Sequence, residues 1–137
     1  MTVAAALYLD TSAVLRATLE GGTTPDLEER LGAAEVLVTS RLAIVEAARG
    51  LLRVRESCRV PEARLADVER AIDELWLRCE IWELTRPICE AACRVVPRKP
   101  LRTLDALHLA TFLAARRRIE GLELMSTDER LLDAAGR

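Results

Sequence analysis

Residues Leu7–Leu15 read LYLDTSAVL, and the fold follows from how that stretch divides. The apolar run from Ala4 to Leu9 (AAALYL) is too short for a helix and has no polar alternation, which predicts a strand buried on both faces. Asp10-Thr11-Ser12 then supplies capping side chains for a helix beginning at once. A buried strand feeding directly into a helix is the opening of a parallel α/β unit.

The rest of the chain repeats that alternation. Gly21 and Gly22 break the first helix; Thr24 and Pro25 start a second, expected to reach about Leu31 with Gly32 as its stop. Val36–Thr39 predicts a second strand. Leu42, Val45, Leu51 and Leu52 recur at helical spacing from Arg41 to about Ser57, and Leu65, Val68, Ile72, Leu75 and Trp76 form one stripe from Glu62 to about Arg78. These two helices are expected to form an antiparallel hairpin. Glu80–Leu84 reads as a third strand, and Thr85 and Pro87 open a helix to about Val96. Thr103 is the expected cap of the next, apolar helix. Leu122–Met125 is a fourth strand, and Asp128–Ala135 a last short helix. A chain of 137 residues predicts one domain, residues 1–137, with an α/β parallel sheet.

Composition narrows the function classes. Net charge is −2, so any nucleic-acid binding must rest on local basic patches. Nineteen of the twenty basic residues are arginine, with Lys99 the exception; genomic base composition is the simplest account. Cys58, Cys79, Cys89 and Cys93 form no C-x-x-C pair and have no histidine cluster beside them, which argues against structural zinc. They read as small hydrophobes, Cys89 and Cys93 sharing a helix face. No signal peptide and no apolar run of membrane-spanning length is visible, so a cytoplasmic location and no membrane are expected.

Four acidic residues stand against apolar runs: Asp10, Glu46, Asp105 and Asp128. Taken singly, Asp10, Asp105 and Asp128 read as helix-start charges. Glu46, between Ile44-Val45 and Ala47-Ala48, is harder to dismiss. A carboxylate at the edge of a core carries a desolvation cost that a shared cation offsets. Sites in parallel α/β sheets form outside the carboxyl ends of the strands, where these residues fall. Oxygen donors without His or Cys select Mg²⁺ or Mn²⁺. Asp10 and Asp105 are the expected direct ligands, with Glu46 and Asp128 acting through water or a second ion. The chemistry so implied is hydrolysis of a phosphodiester by metal-activated water.

Four segments, LYLDTSAVL, TSRLAIVEAARGLLR, LRTLDALHLATFLAA and LELMSTDERLLDAA, resemble the PIN-domain ribonucleases of the VapC toxin type, in that family's order and spacing. The resemblance implies a PIN-like three-layer sandwich, with a four- or five-stranded parallel sheet flanked by helices. It implies a metal-dependent endoribonuclease whose acidic quartet is Asp10, Glu46, Asp105 and Asp128. Thr11 or Ser12, and Ser126, take the family's hydroxyl positions, orienting the carboxylates. It also implies Mg²⁺ or Mn²⁺, an RNA substrate, a homodimer, and a VapB-like antitoxin docked across the active-site groove. Related chains often continue into a further edge strand, so either the sheet has four strands or the chain is trimmed.

Other readings compete. Arg98, Lys99 and Arg102 either guide phosphates to the site or form a solvated loop. Arg116–Arg118 reads as a solvated helix end. His108, one turn after Asp105, suits a satisfied core histidine better than a general base. Trp76 and Trp82 read as core or dimer residues rather than base-stacking platforms. A catalytically inactive PIN-like interaction module is the main alternative, and the complete acidic set argues against it. A DNA or flap nuclease needs helical insertions that this chain lacks. A phospho-aspartate hydrolase usually shows D-x-D, where this chain has Asp10-Thr11-Ser12.

Overall fold

A computed structural model describes residues 5–96 and 100–136. Eleven elements follow one another among them: β1 (Ala6–Leu9), α1 (Thr11–Ala17), α2 (Pro25–Ala33), β2 (Val36–Ser40), α3 (Arg41–Ser57), α4 (Glu62–Arg78), β3 (Cys79–Trp82), α5 (Arg86–Arg94), α6 (Thr103–Arg116), β4 (Leu122–Met125) and α7 (Glu129–Ala134). The strands form one parallel sheet in the order β3-β2-β1-β4. It is an α/β sandwich with helices on both faces and four strands among the described residues.

Side-chain parity along β1 decides the two cores. Leu7 and Leu9 pack with Val14 of α1, Leu51 of α3, and Leu65 and Ile72 of α4. Ala6 and Tyr8 pack with Val38, with Leu109 and Phe112 of α6, and with Leu131 of α7. All four residues of β1 are buried, as expected of a central parallel strand covered on both sides. The register places Leu9 opposite Thr39 and Met125, so β1 and β4 end level and β2 runs one residue further, to Ser40. The Asp10 N–H adds one more rung, donating to the Met125 carbonyl at 3.2 Å.

Asp10 follows the end of β1 at that level, and Asp128 comes three residues after the end of β4. The chain leaves β1 to β2 and β3 on one side and returns to β4 on the other. The crevice between the carboxyl ends of β1 and β4 is therefore the topological switch point of the sheet.

Several boundaries differ from expectation for visible reasons. Helix α2 passes through Gly32 to Ala33 and stops where the Glu35 and Val36 amides turn to the Ala5 carbonyl. Strand β3 begins earlier and ends at Trp82, because its one partner, β2, ends at Ser40 opposite it. Thr103 is the first helical residue of α6 and not its cap; Arg102 holds the cap position without a side-chain hydrogen bond. The cysteines are mostly not packing residues: Cys58, Cys89 and Cys93 are exposed, and Cys79 alone is partly buried. Cys58 ends α3 at φ 56°, a left-handed position more usual for glycine. Trp76 and Trp82 each pack against a core cluster. Helices α3 and α4 are clamped by Arg55, which pairs with both Glu62 and Glu69.

Candidate active site

Asp10 is the most constrained of the four acids. It follows β1 directly, is only 4% exposed, and caps α1, its Oδ1 accepting from the Ala13 N–H at 2.9 Å. The same oxygen accepts from the Ser12 hydroxyl at 2.7 Å, and Oδ2 accepts from Ser126 at 2.5 Å. Burial pushes the Asp10 carboxyl above the usual aspartate range, and the two hydroxyls and the amide oppose it without cancelling it. The capping role and a place in the site therefore coexist in one side chain.

Ser12 and Ser126 also lace the two strand ends together. Ser12 Oγ accepts from the Thr127 N–H and lies 3.3 Å from Ser126 Oγ, which itself accepts from the Asp128 N–H. This aligns the β1–α1 and β4–α7 corners. Asp128 is half-buried and caps α7, accepting from the Arg130 N–H at 2.9 Å.

Asp105 lies in the first turn of α6, where the helix dipole favours an anion. Its carboxyl is nevertheless raised, first by burial, then by the negative charge of Asp128, with Asp10 adding to it; His108 and Arg102 act in the opposite direction. Asp10, Asp105 and Asp128 thus share one electrostatic neighbourhood although they come from three elements.

Glu46 points to the same region from α3 and is held differently. Its Oε1 accepts from Thr11 Oγ1 and lies 2.7 Å from His108 Nε2. Burial alone would raise its carboxyl. The hydrogen bonds from His108 and Thr11, with the Arg53 charge, more than offset that and hold it below the usual glutamate value.

Among the described residues, no three His, Cys, Asp or Glu side chains stand close enough to hold an ion between them as they lie. The acids form a neighbourhood and not an assembled cage. Their chemistry still fits a hard divalent cation: the donors are all carboxylate oxygens, and Asp10 and Asp105 both carry raised proton affinities.

The basic residues divide. Arg102 stands near enough to Asp105 to influence its charge, whereas Arg98 and Lys99 lie outside the described residues. The sequence reading missed the partner of one residue and the whole of another. His108 is a satisfied buried histidine, but its partner is Glu46, 62 positions away. Arg53, seven residues and two turns after Glu46, lends it positive charge; that spacing was the available signal.

Comparison with known proteins gives the same picture. The model of the PIN domain matches residues 7–137. Ribonuclease VapC46 of Mycobacterium tuberculosis is 34% identical over 131 residues, covering 96% of this chain and 91% of its own. Two solved structures share the fold. PAE2754 of Pyrobaculum aerophilum has a TM-score of 0.67 at 21% identity, with 96% of this chain and 81% of that one covered. VapBC2 of Rickettsia felis, bound to a DNA fragment from its promoter, has a TM-score of 0.58 at 15% identity, with 89% and 98% covered. A family model spanning nearly the whole chain, a close full-length relative and a shared sheet all agree: the chain belongs to the PIN-domain family, among its VapC-like members.

Proposed function

We propose that this chain is an endoribonuclease toxin that hydrolyses RNA phosphodiester bonds with Mg²⁺ or Mn²⁺ and is neutralised by a VapB-like antitoxin. The observation that carries the reading is the convergence of Asp10, Asp105 and Asp128 at the β1/β4 switch point, with two of the carboxyls raised. Burial is the main cause in both, with the charges of Asp128 and Asp10 adding to it at Asp105; a divalent cation relieves such a set of carboxylates, and a bare phosphodiester aggravates it. The ribonuclease name of the 34% identical relative supports the reaction class.

Asp10 and Asp105 are the residues to hold the ion directly, with Glu46 and Asp128 contributing through water or a second ion. When bound, the ion lowers the pKa of water and neutralises charge on a phosphate oxygen. Ser12 and Ser126 hold both Asp10 oxygens, and Thr11 holds Glu46, so these carboxylates are oriented before substrate arrives. Arg102, beside Asp105, and the neighbouring Arg98 and Lys99 are placed in the chain to meet phosphates.

The rest of the reading is that residues 1–137 act as one domain, as a homodimer, in the cytoplasm. No helix among the described residues is long and apolar enough to cross a membrane.

The test is cleavage of an oligoribonucleotide by purified protein with and without Mn²⁺. Asp10→Asn and Asp105→Asn are each expected to lower the rate about a thousandfold, several kcal/mol at about 1.36 kcal/mol per decade. Unchanged cleavage by both folded variants overturns the assignment. Induced expression without a partner should slow growth, and Asp105→Asn should relieve it.

A further inference from the structure

We propose that His108 is a positioning residue for Glu46, with Tyr8 as its backstop. The inference rests on the reading that Glu46 belongs to the nuclease site.

The chain has one histidine and one tyrosine, and they touch. His108 is 2% exposed and Tyr8 0%. The Tyr8 hydroxyl lies 2.9 Å from His108 Nδ1, and His108 Nε2 lies 2.7 Å from Glu46 Oε1. A carboxylate oxygen only accepts, so Nε2 carries a hydrogen whatever charge the ring bears. Thr11 Oγ1 donates to the same Glu46 oxygen at 2.7 Å and stands 3.4 Å from Nε2. Oε1 is thereby saturated by two donors. Oε2 takes no recorded hydrogen bond from the described residues and is the oxygen left to meet a cation or water.

The ring cannot swing out of this role. Tyr8 meets it edge-on at 6.0 Å and is itself braced edge-on by Phe112 at 5.8 Å. Thr111, on the same helix as His108, and Ser40, at the end of β2, stand close enough to the Tyr8 hydroxyl to act on it. A histidine buried only for packing has no need of an acid at the rim. Here both ring nitrogens are committed to side chains, one of them a half-exposed carboxylate.

The placement of the chain adds to this. Tyr8 precedes Asp10 by two residues on β1, and His108 follows Asp105 by one turn on α6. The two elements that carry Asp10 and Asp105 are therefore the two that grip Glu46. The chain of contacts fixes Glu46 of α3 relative to both.

The sole histidine makes this readable by long-range ¹H–¹⁵N spectra of metal-free protein. Nε2 is expected to carry the proton, with a downfield resonance that Glu46→Ala abolishes. Mn²⁺ affinity, read by titration calorimetry, is expected to fall about 10- to 100-fold in His108→Ala, with cleavage following. His108→Gln, whose amide keeps a donor at the Nε2 position, is expected to recover much of that affinity. Equal losses in both variants, or a ring protonated on Nδ1 alone, overturn the proposal. If His108→Ala fails to fold, the spectrum and His108→Gln still decide it. A wild-type protein that binds no Mn²⁺ sinks the nuclease reading, while the spectrum still reports whether His108 holds Glu46.

Discussion

The two faces of the sheet are buried with different chemistry. Under α1, α3 and α4 the core is aliphatic, with Leu7, Leu9, Val14, Leu37, Leu51, Leu65 and Ile72 and no buried ionisable group in the cluster. Under α6 the core contains Tyr8, with His108 and Thr111 buried beside it. Every buried side-chain polar atom among the described residues finds a partner, so the second face has been completed as a network. The aliphatic face needs only volume and shape. The other carries a line of hydrogen bonds that ends at the site, and a change there should be read out in chemistry before stability.

The largest contrast is between Leu65 and Tyr8. Leu65→Ala opens a cavity in the aliphatic face and is expected to cost about 2–5 kcal/mol of stability. Cleavage per folded molecule should stay within about twofold of wild type, because Leu65 lies in the aliphatic core and outside the hydrogen bonds that hold Asp10 and Glu46. Tyr8→Phe removes one hydroxyl and leaves His108 Nδ1 without that partner, a cost of about 1–3 kcal/mol. Its cleavage should nevertheless fall about 10-fold or more. Denaturant melts and single-turnover cleavage, both taken where each variant is folded, make the comparison. Equal specific activities would dissolve the division of labour between the faces.

Asp10, as a proposed metal ligand, sets stability against function within one residue. Its folded-state pKa is raised, chiefly by burial, so the folded protein holds that proton at pH values where the unfolded chain has released it. Stability then falls as pH rises from the ordinary aspartate value through the raised one, and the penalty persists above it. Asp10→Asn keeps an acceptor for the Ala13 N–H and removes the charge. Without metal, the variant is expected to melt a few degrees higher than wild type near neutral pH, the gap closing in acid. At Mn²⁺ a hundredfold above its Kd, wild type gains about 2.7 kcal/mol and the variant does not. A metal-free variant less stable than wild type at neutral pH would show that the serine contacts outweigh burial.

Much of this was legible in sequence, and the failures are of one kind. The bounds of α3, α4 and β4 follow from apolar periodicity, because each element buries one consistent face. The four acids stand out because each interrupts or borders such a run. The end of β3 was not legible, since it depends on where β2 stops pairing. Nor was the exposure of Cys89 and Cys93, which share a helical face that no other layer covers. The Tyr8–His108–Glu46 line joins three elements across 100 and 62 residues, and no local spacing encodes it. The sequence did indicate that His108 would be buried and satisfied; only the fold says by whom.

Arg53 gives the smallest effect and the sharpest distinction in kind. On α3, Arg41 is tied to Glu83, and Arg55 to Glu62 and Glu69, whereas Arg53 has no ion pair recorded among the described residues. It is exposed and close enough to Glu46 to help hold that carboxylate charged. An exposed cation beside an acid of the candidate site is suited to meeting a phosphate of the substrate. Arg53→Ala should leave the fold within about 0.5 kcal/mol, as surface changes do. RNA affinity, measured with Ca²⁺ in place of Mn²⁺, should drop a few-fold, and the slope of log K against log salt should shallow by about 0.7, one single-strand phosphate contact. Tyr8→Phe is expected to slow cleavage without touching that slope, because it acts through Glu46 and not on the RNA. If Arg53→Ala leaves the slope unchanged, Arg53 tunes the acid only, and the phosphate track must run over Arg102 instead.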